Sequence, residues 1–186
     1  MRLGIIVGHT AASGGAKGLG IDQEYFYNKK MAEDMRAYAL SKYSSGANKM
    51  EVKIFFRDDG GVPGAYGRAD AWKANYTAEL HYNSVGNSSV RGTETLSSGS
   101  SKSLVFAKNV QDAHCSILGR SGNSRGIKIR NRQNKDRGWF SLVAGNAPAI
   151  ITEPAFGSSV ADANLLKSKQ FELGRAIVDS MHKLSA

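Results

Sequence analysis

Three short apolar runs in this chain share one design, because each ends in a side chain that can do chemistry. Leu3 to Val7 runs into Gly8-His9, Tyr76 to Leu80 runs into His81, and Ala149 to Thr152 runs into Glu153. Near-continuous apolar runs of this length read as strands buried on both faces, the pattern of a parallel sheet. Val52 to Phe56 and Gly92 to Leu96 predict two further strands, and a shorter one is expected around Ile127 to Ile129. Between these runs the spacing turns helical. Asp22 is placed to cap a helix reaching about Tyr43, with Met31, Met35 and Tyr38 on one face. Ala65 to Asn75 predicts a short helix. Ser103 to Leu118 predicts another, with Phe106, Val110, Ala113 and Ile117 as its apolar stripe. Asp162 can cap a last helix whose Leu166, Leu173 and Ile177 face the core. Strands alternating with helices predict an α/β fold, a single domain over residues 1–186 with a mainly parallel twisted sheet and helices on both faces. Such sheets gather functional groups in the crevice beyond the carboxyl ends of their strands. His9, His81 and Glu153 are therefore expected on one rim, provided that their strands are parallel neighbours.

Composition narrows the picture. The 186 residues suffice for one real core, and an apolar fraction of 41% is too high for a disordered chain. No apolar stretch has the length of a transmembrane helix. The N-terminus lacks the pattern of a secretory signal, so synthesis in the cytoplasm and export by another route are expected. Cys115 is the sole cysteine, which precludes an internal disulfide, and it reads as a small buried hydrophobe on a helix. Lys and Arg total 25 against 16 acids, and the net charge of +9 favours polyanions: nucleic acid, anionic membrane or anionic wall polymer. Much of this charge falls in Gly119 to Arg137, with Arg120, Arg125, Lys128, Arg130, Arg132, Lys135 and Arg137. That segment is expected to be exposed, with Trp139 to Val143 packed beneath it. His182 is expected at the surface. His114, beside an apolar stripe, reads as structural.

The loop from Gly8 to Gly20 is rich in Gly, Ala and Ser. Its glycines miss the offsets of a dinucleotide fingerprint, and Gly15-Ala16-Lys17 lacks the Ser or Thr of a phosphate loop. A catalytic zinc site commonly takes three ligands from His and Asp/Glu and leaves one position for water. His9 and His81 are candidates. Glu24 is a third if its helix starts beside the end of the first strand; otherwise it is an acid complementing a helix dipole. A separate carboxylate must then accept a proton from water and pass it to the leaving amine, and Glu153 is placed to do so. Residue types alone leave core or surface roles open for the histidines.

Taken in order, these segments resemble the zinc-dependent N-acetylmuramoyl-L-alanine amidases of the amidase-3 type, including phage endolysins. Ile5-Ile6-Val7-Gly8-His9 is similar to the family's first strand and first metal histidine, and Glu24 to its second ligand. Arg68 with Ala74-Asn75 resembles the Arg and Ala-Asn that precede the family's central strand. Leu80-His81-Tyr82-Asn83 resembles the segment carrying the third ligand. Gly92-Thr93-Glu94-Thr95 resembles a Gly-x-Glu-Thr strand, and Arg125-Gly126-Ile127-Lys128 an Arg-Gly-x-Lys segment. Ile151-Thr152-Glu153-Pro154-Ala155-Phe156 resembles the segment of the catalytic glutamate. The departures are Glu79 where the family often has Ser or Asp, Pro154-Ala155-Phe156 in place of Gly-Phe, and Gly8-His9-Thr10-Ala11 in place of Gly-His-Gly-Gly. Glu79 shares a strand face with His81, so it either orients that imidazole or is exposed.

The resemblance implies a peptidoglycan hydrolase that cleaves the amide between N-acetylmuramic acid and L-alanine of the stem peptide. His9, Glu24 and His81 would hold Zn2+ and Glu153 would serve as base, then acid. It implies action on the bacterial cell wall and no nucleic acid partner; the small size and missing secretory signal fit a phage lysis enzyme released through a holin-type export partner, and equally a virion-associated or secretion-system effector amidase. The rival readings are a basic wall- or nucleic-acid-binding module without turnover, and a zinc peptidase on the same scaffold.

Overall fold

Side-chain alternation along the strands sets the layers. On β1 (Arg2–Val7), Leu3, Ile5 and Val7 point to one face, while Ile6 points to the other. The first face packs under α1 (Glu24–Lys42), α3 (Ser101–Ile117) and α5 (Val160–His182), through Met31, Met35, Phe106, Val110, Leu166, Leu173 and Ile177. The second face packs under α2 (Gly61–Ala71) and α4 (Trp139–Val143), where Ile6 meets Val62, Tyr66, Leu142 and Ile151. Helices on both faces of one sheet make the expected three-layer α/β domain. The computed structural model describes residues 1–120, 124–134 and 136–185.

The other strands are β2 (Glu51–Phe56), β3 (Tyr76–Leu80), β4 (Thr93–Ser97), β5 (Ser124–Ile129) and β6 (Ala149–Glu153). The six-stranded sheet runs β2-β1-β3-β6-β4-β5. β2, β1, β3 and β6 are parallel. β4 runs antiparallel to β6, and β5 is parallel to β4. The condition on the rim is met: β1, β3 and β6 are parallel neighbours, in the register Val7 opposite Leu80 and Leu80 opposite Thr152.

Both expected aspartate caps are corrected. The residue before α1 is Gln23, with no side-chain cap. Carbonyls of the glycine-rich loop take the first helical N–H groups instead: Glu24 N–H donates to Ala16 O (3.0 Å) and Tyr25 N–H to Gly14 O (2.9 Å). Asp22 pairs with Lys30 at 2.7 Å. At the last helix the flanking residue is Ser159, and Asp162 lies within the first turn, wholly buried. Its carboxylate accepts from the Arg91 and Arg120 guanidinium groups and from the backbone N–H groups of Gly92 and Phe156.

The short helix begins earlier than expected, at Gly61, and stops at Ala71. The buried face of α3 is rotated toward Ala107, Gln111 and His114, leaving Ala113 and Ile117 half-buried. Trp139 to Val143 packs on the sheet beside α2, with Leu142 in that core. The basic segment is less exposed than its composition implied. Arg120 is buried against Asp162, and Arg125 pairs with Glu94 at 2.7 Å. Lys135 lies outside the described residues. Cys115 is half-buried and accepts a hydrogen bond from Gln111. His182 is half-buried and stacks on Tyr43, ring centroids 4.0 Å apart.

Candidate active site

Gly8 and His9 come directly after β1, where the Gly8 N–H still donates to Leu80 O and holds the chain against β3. His9 then takes a left-handed conformation (φ 64°), rare for a residue with a side chain and a mark of strained, functional backbone. Its ring turns toward that of His81, centroids 4.9 Å apart at 74°. Between them comes Glu24, the first residue of α1. Its Oε1 lies 2.7 Å from His81 Nδ1 and its Oε2 3.1 Å from His9 Nε2. Backbone N–H groups steady both oxygens: Ala16 donates to Oε2 (3.0 Å) and Tyr82 to Oε1 (3.2 Å). The loop closes tightly over this group. A Cβ on Gly15 (φ 73°) would lie 2.5 Å from His9 Cδ2 and 2.8 Å from Glu24 Oε2, so only glycine fits there.

The far side of His81 is also fixed. Its Nε2 lies 3.0 Å from Glu79 Oε1. Glu79 is fully buried; it accepts from Arg57 Nη1 at 2.9 Å and from the Tyr66 hydroxyl at 3.0 Å. Of its two expected fates, orienting the imidazole or lying exposed, the structure shows the first. Arg57 and Tyr66 stand too far along the chain to be paired with Glu79 by local pattern. The signal available for Arg57 was its place just past β2, on the same rim.

Glu153 ends β6, 4% exposed, opposite Glu94 in the β4–β6 register. A cleft of about 260 Å³ runs past it, lined by His9, His81, Arg57, Arg137, Phe140 and Glu153 among others. Arg137 and Phe140 reach it from the segment around α4, and no motif in the sequence marked them.

Electrostatics reflect this packing. Burial opposes the charge on His81, but hydrogen bonds with Glu24 and Glu79 outweigh it and push its pKa up to about 10. Burial likewise opposes the charge on Glu24, but the His81 hydrogen bond and the adjacent His9 ring hold its carboxyl well below the usual range. Burial pushes Glu153 the other way, above that range; Glu94 and Glu24 add to the rise, while His81 and Arg137 oppose it.

The donor set fits a metal ion. One ligating atom from each of His9, Glu24 and His81 lies within 4.8 Å of the others. His9 Nε2 is buried; though 3.1 Å from Glu24 Oε2, it is not aligned for a hydrogen bond to it or to any other described residue, and a buried nitrogen turned toward a carboxylate and a second imidazole is matched to a cation. The carboxylate held against His81 Nε2 is the usual outer partner of a ligating imidazole.

A family profile described as N-acetylmuramoyl-L-alanine amidase, of the amidase-3 type, matches residues 3–183. The catalytic domain of CwlV, an N-acetylmuramoyl-L-alanine amidase from Bacillus (Paenibacillus) polymyxa var. colistinus, superposes with a TM-score of 0.79 at 26% identity, covering 99% of this chain and 98% of its own. The amidase AmiC2 of Nostoc punctiforme gives 0.78 at 21% identity, over 98% and 96%. The catalytic domain of the CD27L endolysin, which targets Clostridia difficile, gives 0.74 at 23% identity, over 97% and 96%. No match was found among curated proteins. On the profile match, which spans nearly the whole sequence, the chain belongs to the amidase-3 family of N-acetylmuramoyl-L-alanine amidases.

Proposed function

We propose that residues 1–186 act as one catalytic unit on bacterial peptidoglycan, hydrolysing the amide between the lactyl group of N-acetylmuramic acid and L-alanine of the stem peptide. The single observation that carries the reading is the convergence of His9, Glu24 and His81 on one point beside the buried Glu153. His9 through Nε2, His81 through Nδ1 and the Glu24 carboxylate would hold Zn2+. Zinc bound there supplies a Lewis acid and lowers the pKa of a water molecule.

The remaining work falls to this chain's own side chains. Glu153 accepts the proton of the attacking water and delivers it to the departing alanine nitrogen. Its raised pKa suits both halves of that task, since a weakly acidic carboxyl takes a proton and then holds it for transfer. Glu79 keeps the His81 ring oriented, and Arg57 and Tyr66 keep Glu79 in place. Phe140, Val62, Leu96 and Ile151 give the cleft an apolar wall against which a lactyl or alanyl methyl can rest. We place its action at the bacterial cell wall, in an endolysin-like role with a holin-type export partner.

Mass spectrometry of digested peptidoglycan tests this. The expected products are intact glycan strands and peptides with a free L-alanine amino terminus. Shortened glycans, or cuts within the stem peptide, would overturn it.

A further inference from the structure

Beside the candidate catalytic groups, the cleft carries two guanidinium groups that the reaction itself does not use. Arg57 is spoken for: its Nη1 is bound to Glu79, and its side chain is only 24% exposed. Arg137 differs. It lines the same cleft, it is exposed, and it makes no ion pair with any described residue. The nearest acid in sequence, Asp136, is engaged elsewhere, accepting from Asn131 N–H at 3.0 Å.

The backbone that carries Arg137 is pinned to the catalytic strand. Gly138, next in the chain, takes a left-handed conformation (φ 87°), and a Cβ there would lie 3.0 Å from Ile151 Cδ1 and 3.1 Å from Leu96 Cδ1. That close approach to β4 and β6 fixes where Arg137 starts. Its charge is felt at Glu153, where it opposes the rise in pKa that burial brings.

We propose that Arg137 selects stem peptides whose second residue keeps a free α-carboxylate, a D-glutamate over its α-amide. This rests on the amidase reading of the same site. In such a stem the second residue is joined onward through its γ-carboxyl, so the α-carboxylate projects from the chain. It lies about two residue lengths, roughly 7 Å, from the scissile carbonyl. A long arginine rooted at the cleft edge spans that range, and its planar fork matches a carboxylate.

The test uses two soluble muramyl pentapeptides that differ only in carrying the carboxylate or the carboxamide at residue two. Each is assayed with zinc-loaded wild type, Arg137→Gln and Arg137→Lys. A charge-assisted hydrogen bond predicts that wild type prefers the carboxylate by about tenfold in kcat/KM, chiefly through KM. Arg137→Gln should bring the ratio near one without loss of folded protein, and Arg137→Lys should restore part of it. Equal cleavage of both substrates by wild type, or a preference that survives Arg137→Gln, would overturn the selection while leaving the amidase reading intact. Cleavage of neither substrate by wild type would overturn that reading, and the selection with it.

Discussion

Glu79 is the residue whose position says most about the chemistry. It replaces the smaller Ser or Asp that the resemblance led us to expect, and it uses the extra length to reach both His81 Nε2 and the Arg57 guanidinium. With a cation in the site, a proton held on Nε2 by Glu79 would leave Nδ1 as the ligating nitrogen. Outer partners of this kind are typically worth 10–100-fold in metal affinity. Glu79→Gln keeps the shape and the Tyr66 contact but removes the charge. It should therefore weaken zinc binding by about that factor, as read by competition with a chromophoric chelator, while the protein stays folded. An unchanged affinity would show that the imidazole needs no help in its orientation. Glu24 makes the complementary point: a carboxylate in the first turn of a helix has a ready dipole role, yet here both oxygens turn to the imidazoles.

At the scale of elements, α3 carries a titration that the site does not. His114 is buried in its inner face; Nε2–H donates to Leu173 O at 3.0 Å, and Nδ1 has no partner among the described residues. Burial lowers its pKa from 6.5 to about 4, against a small opposing pull from that carbonyl. The folded chain therefore binds the proton less readily than the unfolded one. The stability this confers is fully present above about pH 6.5 and is lost as pH falls through about 4. At one pKa unit per 1.36 kcal/mol, the loss is on the order of 3 kcal/mol. Denaturant midpoints of wild type and His114→Gln across that window should differ in slope, with the variant flatter; parallel curves would show that His114 is charged in the fold. The elements themselves were largely legible in the sequence, because buried strands and amphipathic helices leave periodic traces. The caps of α1 and α5 were not, because Gly14 and Ala16 carbonyls do the work expected of Asp22, and Asp162 serves Arg120 from 42 residues away. The pairing of Arg57 with Glu79 was hidden in the same way: a buried ion pair between separate elements has no local period.

The whole molecule brings together groups that the chain keeps far apart. Residues 9, 24, 81 and 153 belong to β1, α1, β3 and β6 or their immediate ends, and only the β1-β3-β6 neighbourhood makes them one site. The rim was foreseeable because parallel strands deliver the residues at their carboxyl ends to one edge of the sheet. The cleft wall from Arg137 to Phe140 was not, since it depends on where α4 docks. The +9 charge looks different in the fold as well: part of the basic segment is spent on Asp162 and Glu94, so attraction to an anionic wall rests on fewer free charges than composition implied. Glu153 would move protons at this site while the other three residues hold the metal. Zinc content and wall turnover measured on one preparation of Glu153→Gln test it most directly. The expected result is a folded protein with wild-type zinc and turnover reduced by about 10²–10⁴. Loss of zinc would make Glu153 a ligand, and turnover near wild type would remove it from the reaction.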